Sequence, residues 1–132
     1  MTKKEKIINV LENMGYKPQY DEEGDIIVRY QLKTLYILTS DDDEDSFVNI
    51  ILPQFVEFEE GEETLYLATC NKLTREKQMV KVYVDQTFKN VSASYEFYYV
   101  NDEALEKNLD KAFGILGILR IIFRKSIMEL SE

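Results

Sequence analysis

The hydrophobic positions of this chain follow two periods that alternate along the sequence. Near the N-terminus, apolar residues three and four positions apart predict a helix that Thr2 and Glu5 begin as a capping box and Gly15 ends. The same spacing predicts a second helix over residues 62–77. Asn101 is placed to cap a third helix, which contains the most apolar stretch of the sequence.

Between the helices the period changes to two, which is typical of strands with one face on a core and the other in water. The predicted strands are residues 26–30, 35–39, 47–52, 80–85 and 91–99. A tight turn near Leu32-Lys33 joins the first two, and Pro53 ends the third. The order α-β-β-β-α-β-β-α predicts an α+β fold, with one antiparallel sheet and its helices packed on one face. No linker or repeat interrupts the sequence, so we expect a single domain over residues 1–132.

The last helix carries more apolar surface than a core requires, because Ala112–Phe123 is almost entirely apolar. A surface helix needs one apolar stripe to reach its core. That stripe is predicted to contain Leu105, Leu109, Ala112, Leu116, Leu119, Phe123, Ile127 and Leu130.

A second apolar group lies outside this stripe, and we call it the isoleucine patch. It consists of Gly114, Ile115, Gly117, Ile118, Ile121 and Ile122. The two glycines would let another backbone approach closely. In one interpretation the sheet and the first helix wrap the middle of this helix, so that the patch belongs to the core. In the other, which we favour, the patch meets a symmetry mate or receives a client protein.

Composition and the residue inventory argue against several classes of function. A formal net charge of −9 disfavours a nucleic-acid partner bound through its phosphates. The absence of histidine removes the usual general base and the commonest zinc ligand. The five glycines occur singly and form no phosphate-binding loop. We therefore expect a protein that is not an enzyme and that uses no cofactor or metal.

Three features suggest chemistry, and each has a plainer structural explanation. Cys70 has no evident cationic neighbour, so we expect a small core residue rather than a reactive thiol. The run Asp41–Asp45 resembles the start of a calcium loop but has Ser46 where glycine is required, which favours a solvated loop. Lys81, Tyr83, Ser92, Ser94, Glu96 and Tyr98 are predicted to share one sheet face, either as a recognition surface or as ordinary cross-strand pairs.

The sequence indicates a cytoplasmic location. Its first residues lack the pattern of a signal peptide, and a lone cysteine suits a reducing compartment. The stretch Ala112–Phe123 is too short to span a bilayer and contains Arg120, so we expect no membrane association.

The element order and a few local patterns resemble a known group of proteins. The acidic turn Asp21–Asp25, the hairpin at Lys33–Tyr36, and Ile51-Leu52-Pro53 contribute to the likeness, as do three positions in the middle helix and the next strand. Those three are Asn71, Lys81 and Val82. Together they resemble the YbjN-like branch of proposed bacterial sensory transduction regulators, which has the type III secretion chaperone-like fold. This chain departs from the group at Leu32, where the first hairpin often has glycine.

The resemblance implies a protein that acts through protein contacts, often as a dimer, and it transfers no catalytic residue. Our leading hypothesis is a cytosolic protein-interaction module, chaperone-like or a regulatory adaptor, that forms a homodimer through the last helix. The alternative is a sensor domain that binds a small ligand in a cleft between the sheet and the acidic loops.

Overall fold

All helices of the described chain lie on one side of a single antiparallel sheet. The computed structural model describes residues 1–39 and 45–131. Its helices are α1 (Lys3–Asn13), α2 (Glu63–Glu76) and α3 (Asp102–Leu130). Its strands are β1 (Gln19–Tyr20), β2 (Ile26–Tyr30), β3 (Lys33–Leu38), β4 (Phe47–Glu57), β5 (Val80–Val84) and β6 (Asn90–Tyr98). Within these ranges the six strands are arranged in the order β1-β2-β3-β4-β6-β5, which confirms the predicted α+β fold.

The core lies between the helices and one face of the sheet. In β5, Val80 and Val82 are buried whereas Lys81 and Tyr83 are exposed, as the period of two predicted. On β6 the core face carries Val91, Ala93, Tyr95 and Phe97, all of them buried. Helix α3 lies across β4 and β6, α2 packs against β5 and α3, and α1 packs against α3. None of these three helices therefore covers the opposite face of the sheet.

Local signals set the ends of α1, and a partly buried ion pair attaches it to the sheet. Thr2 Oγ1 accepts a hydrogen bond from the Glu5 amide at 3.1 Å, which confirms the predicted cap. Gly15 follows the helix with a φ of +97°, a conformation that glycine adopts at little cost. Lys3 is 2% exposed, and its Nζ lies 2.5 Å from Asp45 Oδ1 and 3.1 Å from the Phe47 carbonyl oxygen. The start of α1 is thereby joined to the start of β4.

The hairpin between β2 and β3 turns one residue earlier than the sequence suggested. Tyr30 pairs with Lys33, so Gln31 and Leu32 form the turn, with φ values of 47° and 68°. Both residues lie in the left-handed region, as a two-residue turn of type I′ requires. Leu32 is 92% exposed, so no contact with the core compensates for its unfavourable backbone conformation.

The structure corrects the prediction in two places along the strands. The short strand β1 was missed, because two residues give no detectable period; it pairs with β2. The prediction that Pro53 ends a strand was wrong, because β4 continues to Glu57 through a break in register between Leu52 and Val56. Proline is tolerated there because the regular ladder is interrupted. Gln54 has a φ of 47°, and its amide donates to Ser92 Oγ at 2.8 Å instead of to a strand partner.

The predicted core stripe of α3 is buried from Leu105 to Phe123 but not to the end of the helix. Ile127 is half-buried and Leu130 is 42% exposed, so the stripe was extended too far. The end of α3 is instead connected to α2 by an ion pair between Lys72 and Glu129, at 3.1 Å.

We expect Leu32→Gly to stabilise the fold. The left-handed conformation costs a leucine about 1–2 kcal/mol, and glycine relieves that strain while giving back part of the gain as chain entropy. The expected net increase in the free energy of unfolding is about 0.5–1 kcal/mol, measured by urea denaturation. Val100→Gly is the control, since Val100 is similarly exposed, at 89%, but does not have a positive φ. A destabilised Leu32→Gly variant would contradict this account of the turn.

Candidate interaction surface on the last helix

Aromatic side chains fix the position of α3 over the sheet. The Phe113 ring centroid lies 5.2 Å from that of Tyr16 and 5.5 Å from that of Tyr30. Ten residues further along α3, the Phe123 ring contacts Phe55 and Tyr66, and its centroid lies 5.8 Å from that of Phe55 and 5.7 Å from that of Tyr66. Such pairs favour particular ring orientations as well as burying area. They fix which face of α3 points toward the core and which points outward.

The two glycines of the isoleucine patch have different surroundings. A Cβ atom on Gly117 would lie 2.5 Å from Tyr30 Cε1, so the β2–β3 hairpin occupies the space that a side chain would need. Gly117 therefore has an intrachain reason to be glycine. A Cβ atom on Gly114 would meet nothing within 4 Å, and Gly114 is exposed. No contact among the described residues explains a glycine at this position of a helix, where it costs about 1 kcal/mol relative to alanine.

The isoleucines of the patch divide into two classes. Ile115 and Ile122 are half-buried and pack against the core. Ile118 and Ile121 are 47% and 72% exposed. The core therefore does not enclose the middle of α3 on all sides, and an apolar strip containing Gly114, Ile118 and Ile121 faces outward.

Met128 belongs to the same strip, although the predicted isoleucine patch does not include it. Met128 is 69% exposed and lies seven residues after Ile121, which puts it on the same side of the helix. The spacing was the available signal. We call the outward-facing set Gly114, Ile118, Ile121 and Met128 the α3 strip.

Charge changes sign along the solvent side of α3. From residue 102 to 111 the exposed residues include four carboxylates and two lysines, a net charge of −2. From residue 120 to 130 they include three basic residues and Glu129, a net charge of +2. The basic residues are Arg120, Arg124 and Lys125. Gly114 and Ile118 thus lie between the acidic and the basic half of the helix, and Ile121 and Met128 lie within the basic half.

The tip of the β2–β3 hairpin borders the α3 strip. Gln31 Oε1 would lie 3.5 Å from a Cβ atom on Gly117, and Lys33 lines a depression of about 370 Å³ together with Arg120. Leu32, the exposed residue of the strained turn, lies between Gln31 and Lys33 in the chain. A partner that covers α3 would therefore also approach this hairpin.

The other candidate chemistry has structural explanations within the described residues. Cys70 is buried, as predicted, and desolvation raises the pKa of its thiol to about 12. Residues 41–44 of the acidic run lie outside the described residues, whereas Asp45 binds Lys3. No group of three or more potential ligands among the described residues could hold a metal ion. Within the same residues, no helix has the length and hydrophobicity needed to cross a bilayer.

On the polar face of the last two strands, Tyr83 lies opposite Ser92, which is a cross-strand pair of the kind that the plainer explanation predicted. Lys81 Nζ lies 2.6 Å from Glu96 Oε1, and the rings of Phe47 and Tyr98 have centroids 5.2 Å apart. Ser92 and Ser94 are buried although they lie on the helix-free face, because longer neighbours surround these short side chains.

Comparison with known proteins identifies the fold. No family model matches the chain, and no curated protein matches its sequence significantly. Among solved structures, it is similar to the crystal structure of YbjN, "a putative transcription regulator" from E. coli. That match has a TM-score of 0.66 and 8% identity, and it covers 96% of this chain and 92% of that one. An uncharacterised protein from Methanothermobacter thermautotrophicus gives a TM-score of 0.57 and 14% identity, with 89% of this chain and 96% of that one covered. At these identities the comparisons show a shared fold, and they confirm the resemblance to the YbjN-like fold.

We expect alanine to have opposite effects at the two glycines of α3. Gly114→Ala should raise the free energy of unfolding by about 0.5–1 kcal/mol, since the helix gains propensity and nothing clashes. Gly117→Ala gains the same propensity but forces the Tyr30 ring to move, which costs about 1–3 kcal/mol, so the net change should be destabilising. Urea denaturation of both variants measures the difference. Equal effects at the two positions would contradict the close approach of Tyr30.

We expect Cys70 to resist modification in the native protein. With a pKa of about 12, about one thiol in ten thousand is ionised at pH 8, and the side chain is 4% exposed. A colorimetric thiol reagent should react within seconds in denaturant and only at the rate of unfolding without it. Fast labelling of the folded protein would show that Cys70 is accessible.

Proposed function

We propose that this protein is a non-enzymatic interaction module, chaperone-like or a regulatory adaptor, that forms a homodimer through α3. The observation that carries the proposal is the α3 strip, in which Ile118 and Ile121 are exposed beside a glycine that the fold itself does not require. Contiguous exposed apolar side chains on a highly charged protein usually mark a contact surface.

The charge pattern of α3 supports pairing with a second copy. A two-fold axis perpendicular to the helix makes the two copies of α3 antiparallel. The acidic half of each helix, with a net charge of −2, then faces the basic half of its partner, with a net charge of +2. This complementarity offsets locally the repulsion between two chains that each carry a net charge of −9.

Gly114 supports a close approach between the paired helices. Without a side chain at this position, the partner's backbone or an isoleucine side chain can reach the helix surface. A single helix pair buries less than the roughly 1,200 Å² that marks a standard interface. We therefore expect a dimer that forms at high micromolar concentration, with the exposed Leu32 at the margin of the contact.

The kind of role is inferred from the fold and from the absence of chemistry in the sequence. The chain has no histidine, and Cys70, its single cysteine, is buried. The E. coli protein YbjN, which shares the fold, is described as "a putative transcription regulator". A role in regulation through protein contacts is consistent with both observations.

We expect Ile118→Glu to abolish dimerisation while leaving the monomer folded. Near a two-fold axis the substitution brings two like charges together in an apolar contact, which should weaken association about 10- to 100-fold. Because Ile118 is already 47% exposed, the melting temperature should change by only about 2 °C. Light scattering gives the mass, and circular dichroism gives the melting temperature.

Leu67→Glu is the matched control for this experiment. Leu67 is also 47% exposed and also lies on a helix, but on α2. The control variant should have the same mass as the wild type. A wild-type protein that stays monomeric at high micromolar concentration would overturn the proposed dimer.

A further inference from the structure

The helix-free face of the sheet is not uniformly polar. Ile27 on β2 pairs with Tyr36 on β3, and Tyr36 pairs with Ile51 on β4, so the three side chains form a row across the sheet. All three are half-buried although no helix covers them. Leu38 and Pro53, two residues further along their strands, extend the row in both directions. We call these five residues the apolar floor.

The apolar floor forms the base of an open depression of about 650 Å³ with an acidic edge. The turn between β1 and β2 contributes Asp21, Glu22, Glu23 and Asp25 to that edge, and Gln54 completes the lining. None of these lining residues is basic. Lys4 Nζ approaches the same turn at Gly24. Floor residues also line two neighbouring depressions with basic side chains, Ile27 beside Arg29 and Tyr36 beside Lys33, so the carboxylates are in excess only along the edge formed by the β1–β2 turn.

The acidic turn is held in a fixed conformation. Asp21 Oδ1 accepts hydrogen bonds from the Glu23 amide at 2.8 Å and from the Asp25 amide at 2.9 Å. Gly24 adopts a φ of +86°, which closes the turn. Asp21 thus serves the turn itself, whereas Glu22 and Glu23 are exposed at the edge of the depression.

An unsatisfied acceptor lies beside the apolar floor. Asn49 pairs with Leu38, and its alternation with the buried Val48 and Ile50 places it on the helix-free face. Among the described residues, Asn49 Oδ1 is one of two buried side-chain atoms without a hydrogen-bond partner. A buried acceptor without a donor destabilises the folded state. Because Asn49 Oδ1 is buried and Asn49 does not line the depression, this unsatisfied acceptor belongs to the sheet and not to the surface that a ligand would contact.

We propose that this face binds a cationic, amphipathic segment of another protein. Its apolar side chains would cover Ile27, Tyr36 and Ile51, and its lysine or arginine side chains would meet the carboxylates of the β1–β2 turn. No residue of the α3 strip lines this depression, so the proposal does not require that α3 form a dimer.

The charge of the surface argues against other occupants. A second copy placed face to face would bring two acidic edges together, on chains that each have a net charge of −9. An anionic lipid surface or a nucleic acid would meet the same repulsion. A small inorganic cation would leave the apolar floor uncovered.

The proposal is tested with a short fluorescein-labelled peptide of alternating lysine and leucine, followed by fluorescence anisotropy. We expect saturable binding that weakens with increasing salt, and no binding of the matching glutamate–leucine peptide. Glu22→Lys combined with Glu23→Lys should weaken binding about tenfold or more, since it reverses the exposed charges of the edge. Ile51→Thr should weaken it about fivefold through loss of apolar contact area.

Two controls separate this surface from the rest of the protein. Glu60→Lys combined with Glu76→Lys changes the net charge equally, at exposed residues away from the depression, and should leave the affinity within about twofold. Ile118→Glu should also leave it unchanged, which separates peptide binding from dimerisation through α3. Circular dichroism of each variant confirms that it is folded.

Several outcomes would overturn the proposal. If the Glu22/Glu23 and Glu60/Glu76 double variants weaken peptide binding equally, the peptide is attracted only by the overall charge of the protein. Competition by spermidine at equal charge concentration would show that the surface recognises a cation without an apolar side. A further such outcome is a mass by light scattering that is larger than that of a dimer. If Glu22→Lys with Glu23→Lys abolishes the larger mass, the occupant is the basic half of α3 from another copy.

Discussion

The packing of α3 across one face of the sheet is the constraint on which the rest of the structure depends. Its buried side, with Phe113 and Phe123 at two fixed points, supplies much of the core between the sheet and the helices. The Tyr30 ring lies against Gly117, so the helix can lie this close to the β2–β3 hairpin only because that position lacks a side chain. Because α1, α2 and α3 occupy the same side, none of them covers the opposite face of the sheet.

This one-sided arrangement produces both candidate contact surfaces. A helix that buries one side against a sheet must present its other side outward, and in α3 that side contains Ile118 and Ile121. The uncovered sheet face contains a row of apolar side chains that includes Tyr36 and Ile51. The two surfaces differ in their electrostatics: charges of both signs flank the first, whereas carboxylates border the second. The first suits a second copy of the chain, and the second suits a cationic partner.

Features that depend on neighbouring residues were predictable from the sequence. Thr2 and Asn101 cap their helices as expected, since a cap involves residues only three positions apart. The alternation of apolar and polar residues in β5 predicted its buried face correctly, because it too depends only on neighbouring positions. Features that depend on distant residues were not predictable: β4 continues past Pro53 with the help of Ser92, which comes from another strand.

The candidate surfaces follow the same division. The helical spacing of α3 placed Ile118 and Ile121 outside the core stripe, because spacing alone determines which residues share a side of a helix. It could not distinguish Gly114 from Gly117, since the difference arises from Tyr30, which lies far away in the sequence. The apolar floor was missed because it requires the register of three strands, and no single strand shows it.

An isotope-filtered NOE experiment tests the central claim most directly. A mixture of labelled and unlabelled protein at high micromolar concentration reports only contacts between different copies. The account predicts intermolecular NOEs from the methyl groups of Ile118 and Ile121 to residues of α3 in the other copy. The absence of such NOEs, or their appearance only at residues of the sheet, would contradict it.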